Sequence, residues 1–389
     1  MPSLLSLTVG LALSAAPSDE GATAPSWKRP SLDELESLYG VTWKAELGRF
    51  VLLALRTEEW TRPCLSADGA RAYVGTRTGR LEARSAQDGR ILWSKPRFGD
   101  LGADMVEIDG VLLVGVDSDV AALSRGLGEE RWRTRIGGRV GGPMAAFGRT
   151  VVVPVRPNGF VALDVETGER LWQVKRPTPD GLTIRGHAGP TIDSARDRVF
   201  LGFSDGALMG LELSTGRTLW TTPLGDASEA FADVDTTPVL VDGGRSVMAA
   251  GYNAGLFEID ASSGRVLSRV PVERITHLVR AGDRLVASTG KREVLGLTLD
   301  SEIAWRYRMR SGAPSAAAAL DGGELVAVAS STGPLSILRA RDGRPMQLID
   351  TGKGASTPPA VAGRHMVLLS NGGLVLGLER GAPGGLLLR

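Results

Sequence analysis

Cysteine is almost absent. Cys64 is the single thiol in 389 residues, which excludes intrachain disulfides and cysteine-clustered zinc or iron–sulfur sites. Histidine is nearly as scarce, and His187, His277 and His365 stand too far apart in sequence to form a metal-ligand motif. Neither sign of charge is in excess, since 45 Lys and Arg balance 44 Asp and Glu; a chain built to neutralise nucleic-acid phosphates would be strongly basic. No sustained 3.6-residue apolar periodicity marks a long helix, and no apolar run reaches the roughly 20 residues that a membrane-crossing helix needs. The uncharged run Leu4–Ala16 is too short for that. It has the proportions of a signal-peptide core with cleavage after Ala15 or Ala16, so export is expected. Met1-Pro2-Ser3 carries no positive charge and no cysteine follows the run, so the signal for a lipid anchor is lacking. Residues 17–40 read as a linker, with Ser31 and Glu34 spaced as the capping box of one short helix.

What is abundant is glycine, at 51 residues about twice the usual share, with ordinary apolar content, which signals many turns rather than disorder. One phrase recurs: a Gly turn, then a Trp four residues later. It reads DGRILW (Gly89, Trp93), LGEERW (Gly128, Trp132), TGERLW (Gly168, Trp172) and TGRTLW (Gly216, Trp220), with degenerate copies ending at Ser268, Trp305 and Gln347. Successive slots are 37 to 48 residues apart, the length of one propeller blade. Upstream of each slot stand a strand, a turn, an alternating strand, a second turn and a third alternating strand, with glycine in the turns at Gly79, Gly159, Gly206, Gly255, Gly333 and Gly373. Glycine supplies the positive φ that tight hairpins require. An eighth unit begins at Thr357 and ends without a fourth strand, while the phrase VTWKAELG from Val41 to Gly48 places Trp43 in the missing slot. The expectation is an all-β protein: an eight-bladed β-propeller of four-stranded antiparallel blades over residues 41–389. Pairing of the N-terminal strand with the C-terminal blade closes the ring and removes the last free edge.

The phrase G-x-x-L-W, preceded by text such as Ala162-Leu163-Asp164, resembles the repeat of pyrroloquinoline-quinone enzymes and their cofactor-free relatives. That resemblance implies that Trp43, Trp93, Trp132, Trp172, Trp220 and Trp305 dock one blade on the next. Two passages are more specific. Phe231 to Gly243 (FADVDTTPVLVDG) is similar to a blade of the BamB family, the propeller subunits of the outer-membrane β-barrel assembly machinery. Gly181 to Gly186 (GLTIRG) resembles the interblade loop L-x-L-R-G of the same family, with Ile in place of the second Leu. The resemblance implies a periplasmic scaffold that binds the POTRA region of BamA through Leu182, Ile184, Arg185, Asp233 and Asp235, within the assembly complex. Unfolded outer-membrane proteins are further candidate partners, and no cofactor or metal is implied. Both loops precede the first strand of their blades, so they are expected on one face in adjacent sectors. Asp233 and Asp235 also fit a second role, capping the turn before Thr236-Thr237-Pro238.

Other motifs dissolve on inspection. Gly202-Phe203-Ser204-Asp205-Gly206 matches the nucleophile elbow G-x-S-x-G, but that elbow turns a strand into a helix and the text after Gly206 reads as a strand. Gly137 to Gly142 is glycine-rich without a following helix to present its N-terminus to phosphate. A quinoprotein oxidoreductase, the third reading after a periplasmic propeller with another partner, would need an adjacent cysteine pair by resemblance to those enzymes, and Cys64 stands alone.

Overall fold

The computed structural model describes residues 26–27, 35–47, 61–76, 79–178, 188–225, 233–234 and 236–383. Among them the chain forms eight antiparallel sheets in sequence order, one per predicted blade. Blade five is representative: an inner strand Val239–Val241, two middle strands Ser246–Gly251 and Gly255–Asp260, and an outer strand Val266–Val270. The middle strands alternate less than their text suggests. Val111–Val116 and Gly159–Asp164 are buried at every residue, because neighbouring blades cover both faces of each sheet and leave no solvent side for polar residues.

The Gly-to-Trp phrase has a geometric cause. Gly89, Gly128, Gly168, Gly216, Gly264 and Gly343 all hold φ near +70°, a conformation that costs glycine nothing. A Cβ added at each would also come within 2.5–2.8 Å of the indole of the preceding blade, namely Trp43, Trp93, Trp132, Trp172, Trp220 and Trp305 in that order. Each indole N–H then donates to a carbonyl of the next blade: Trp172 Nε1 reaches the Leu213 oxygen at 2.7 Å and Trp305 Nε1 the Ala340 oxygen at 2.8 Å. Opposite the indole on the adjacent strand stands a small residue, as in Gly210 against Trp220 and Ala162 against Trp172. Two slots lack tryptophan for legible reasons. After Ser268, the next blade carries Ser301 at the glycine position, itself at φ 69° and buried, so no bare backbone awaits an indole.

The other exception closes the ring. The strand Tyr39–Glu46 pairs antiparallel with Leu374–Arg380, Tyr39 opposite Arg380 and Glu46 opposite Leu374. Blade seven therefore faces an incoming chain segment instead of a hairpin turn. Its slot residue, Gln347, is fully buried; its side-chain oxygen accepts from the amides of Leu38 and Tyr39 at 3.1 and 2.8 Å, and its amide donates to the Tyr39 carbonyl at 2.8 Å. Tyr39 is buried, donates its hydroxyl to Asp321 at 2.9 Å, and lies beneath Arg380, which also pairs with Asp321 at 2.9 Å. One feature departs from the linker expected over 17–40. Ser26–Trp27 adds a fifth, parallel strand to the outer edge of blade six, Ser26 beside Arg306 and Trp27 beside Tyr307. Ser31 and Glu34, the expected capping box, lie outside the described residues.

Candidate functional site

The two loops singled out by sequence have neighbouring bases. Leu182, Ile184, Arg185 and Asp235 lie outside the described residues, but the bases of both loops are defined. The Gly189 amide donates to Thr237 Oγ1 at 2.9 Å, and Thr191 Oγ1 donates to the Pro238 carbonyl at 2.5 Å. The chain entering the inner strands of blades four and five, Thr191–Asp193 and Val239–Val241, is thus tied together at these bases. The second loop is anchored at its end as well. Val234 is buried among Phe200, Leu208 and Trp220, its amide donates to the Phe203 carbonyl, and the Ala250 amide donates to Thr236 Oγ1 at 3.0 Å.

Asp233 does not stand on the surface. It is 1% exposed, and its carbonyl accepts from the Tyr252 amide at 3.1 Å. Sequence reasoning could not separate this arrangement from an exposed acid, because an aspartate in a turn phrase reads alike in both settings. Ser204 of the elbow-like motif sits in a hairpin turn with its amide on Asn158 Oδ1 at 3.0 Å. His277 shares its Nε2 with the Ala317 carbonyl at 3.1 Å. Neither arrangement assembles a nucleophile with a base.

The inner strand Leu101–Ile108 also carries a buried acid that the sequence did not flag. Asp104 is 3% exposed; one carboxylate oxygen accepts from the Met144 amide at 2.7 Å and the other is buried without a hydrogen-bond partner. Burial pushes its pKa up to about 6, against the opposing charge of Arg62. A folded pKa above the unfolded one means that the native state holds the proton longer. Stability therefore falls as pH rises from about 4 to about 6, by on the order of 1–3 kcal/mol. Asparagine keeps an oxygen for the Met144 amide without the charge. Asp104→Asn should raise the urea midpoint at pH 7.5 and leave it nearly unchanged at pH 4; equal shifts at both pH values would contradict this assignment.

The family model of outer membrane protein assembly factor BamB matches residues 102–307, more than half of the chain. The chain belongs to the BamB family. It is 28% identical over 335 residues to outer membrane protein assembly factor BamB of Burkholderia pseudomallei, covering 80% of this chain and 83% of that one. It is 26% identical over 329 residues to BamB of Salmonella typhimurium, covering 79% and 82%. Among solved structures, BamB from Moraxella catarrhalis superposes with a TM-score of 0.72 at 23% identity, covering 88% of this chain and all of that one. Quinohemoprotein alcohol dehydrogenase from Comamonas testosteroni superposes nearly as well, TM-score 0.70, at 14% identity, covering 91% of this chain and 79% of that one. At these identities the superpositions show a shared propeller fold and nothing of shared chemistry.

Proposed function

We propose that the protein is a non-catalytic accessory subunit of the outer-membrane protein assembly machinery. It acts in the periplasm, beside the outer membrane, after removal of residues 1–16. The membership of this chain in the BamB family carries the reading. No helix among the described residues is long and apolar enough to cross a membrane. The partner is the POTRA region of BamA, met by the loops that rise from blades four and five. Leu182 and Ile184 supply the apolar contact, with Arg185 and Asp235 beside it for charge complementarity. Asp233 is buried, so its part is to hold the second loop in place. Deleting the gene should lower the outer-membrane content of β-barrel proteins. The wild-type chain should restore it, and a chain carrying Leu182→Asp and Arg185→Glu should not. Unchanged β-barrel protein levels in the deletion strain would refute the assembly role.

A further inference from the structure

Eight non-glycine residues of the described chain hold a left-handed φ. Five are aspartates, the short polar type that tolerates this conformation, and Ser301 fills a slot that is glycine in other repeats. The remaining two are arginines, Arg274 at φ 61° and Arg292 at φ 65°, and they are neighbours at one end of blade six. The Arg274 amide donates to the Tyr252 carbonyl and its own carbonyl accepts from Gly290 at 2.8 Å, two residues before Arg292. The Met309 amide donates to the Arg292 carbonyl at 2.9 Å. The Arg292 side chain donates to the Gly312 carbonyl at 3.2 Å, whereas the Arg274 side chain has no such local bond among the described residues; strain retained in this way points to a use for the side chain.

Further cations surround the pair. Lys291, Arg308 and Arg310 are exposed, as are Arg274 and Arg292, and Arg308 stands opposite Glu293 in the sheet. The acids nearby are Glu273, 3.9 Å from Lys291, and Glu293, 3.7 Å from Arg306. Among the described residues no hydrogen bond or ion pair engages the side chains of Arg274, Arg308 or Arg310. The chain as a whole carries a formal charge of only +1, so this local excess is not a general basicity. Among the described side chains the exposed large apolar ones, Leu127, Phe147 and Leu267 among them, all lie elsewhere in sequence than 271–275, 289–293 and 306–312.

We propose that Arg274, Lys291, Arg292, Arg308 and Arg310 form a docking surface for an anionic lipid bilayer. Guanidinium groups bind phosphate oxygens in pairs, and clustered cations adsorb to anionic headgroups without an apolar anchor. An acidic protein partner fits less well, because protein interfaces take much of their energy from buried aromatic and aliphatic anchors, and among the described side chains no exposed large apolar one lies in these three segments. The surface adjoins the second loop through the Asp233–Tyr252–Arg274 backbone bonds, and its lipid binding is tested without any other protein.

The experiment is co-sedimentation of the full chain with vesicles of phosphatidylglycerol and phosphatidylethanolamine, or of phosphatidylcholine alone. Binding to the anionic vesicles should exceed binding to the neutral ones by about tenfold or more at low salt and vanish at about 0.5 M salt. The variant Arg274→Gly/Arg292→Gly/Arg308→Gln/Arg310→Gln should lose that preference. Glycine relieves the left-handed backbone, so the fold is retained, as an unchanged melting temperature would show. Removing the same number of charges around blade two, with Arg131→Gln, Arg133→Gln, Arg135→Gln and Arg139→Gln, all exposed, should leave binding intact. Equal binding to both vesicle types, equal loss in the blade-two variant, or full competition by soluble polyglutamate but not by free lipid would each overturn the proposal.

Discussion

Removing residues 1–46 is expected to open the ring. Without the strand Tyr39–Glu46, the whole outer edge of Leu374–Arg380 loses its partner, and an unpaired strand edge is a template for another chain. Trp43, 7% exposed and seated on Gly89 and Gly377, leaves a large apolar vacancy. Loss of an aromatic of this size costs about 3–5 kcal/mol by itself. The polar clasp fails too, because Gln347 and Asp321 lose Tyr39, and a buried group left without a partner costs about 1–3 kcal/mol. Two point variants separate these contributions in a full-length chain. Trp43→Ala removes the indole and spares the clasp. Gln347→Leu keeps the volume but strands the amides of Leu38 and Tyr39, for an expected loss of about 2–4 kcal/mol. Urea midpoints measure both variants, and light scattering reads the oligomeric state of the truncated chain. A truncated chain that stayed monomeric with an unaltered melting temperature would refute the closure described above.

The sequence carried the ring almost completely, and the reason is physical. Each blade must present a bare turn backbone at φ near +70° to an indole, so Gly and Trp recur at a fixed spacing of four. Where one partner changes the other changes with it, as at Ser268 and Ser301, and a degenerate copy still reads as a blade. Gln347 was legible as a slot but not as a clasp, since its partners lie about three hundred positions away. The parallel pairing of Ser26–Trp27 was hidden because two residues of strand carry no periodicity. Burial of Asp233 and Asp104 was equally hidden. A carboxylate in a turn phrase, or in the inner strand Leu101–Ile108, reads the same whether it faces solvent or the interior.

The largest effect on function is expected at the first loop. Apolar residues beside an arginine concentrate binding energy at an interface, and truncating one such anchor typically costs about 1–3 kcal/mol. The triple variant Leu182→Ala/Ile184→Ala/Arg185→Ala should therefore weaken binding to the POTRA region of BamA by about a hundredfold or more, while its melting temperature stays within a degree or two of wild type. Arg185→Glu should be worse than Arg185→Ala if the partner site is acidic, because it then adds repulsion. Asp233→Ala should behave in the opposite way. It removes a buried side chain, so its melting temperature should drop, and affinity should suffer only as far as the second loop shifts. Titration calorimetry of the wild-type chain and the triple variant against the POTRA region of BamA from the same organism is the most direct test. Saturable one-to-one binding by the wild type, and its near loss in a stably folded triple variant, is the predicted result. No binding by the wild type, or equal binding by both, would contradict the role in outer-membrane assembly through these loops.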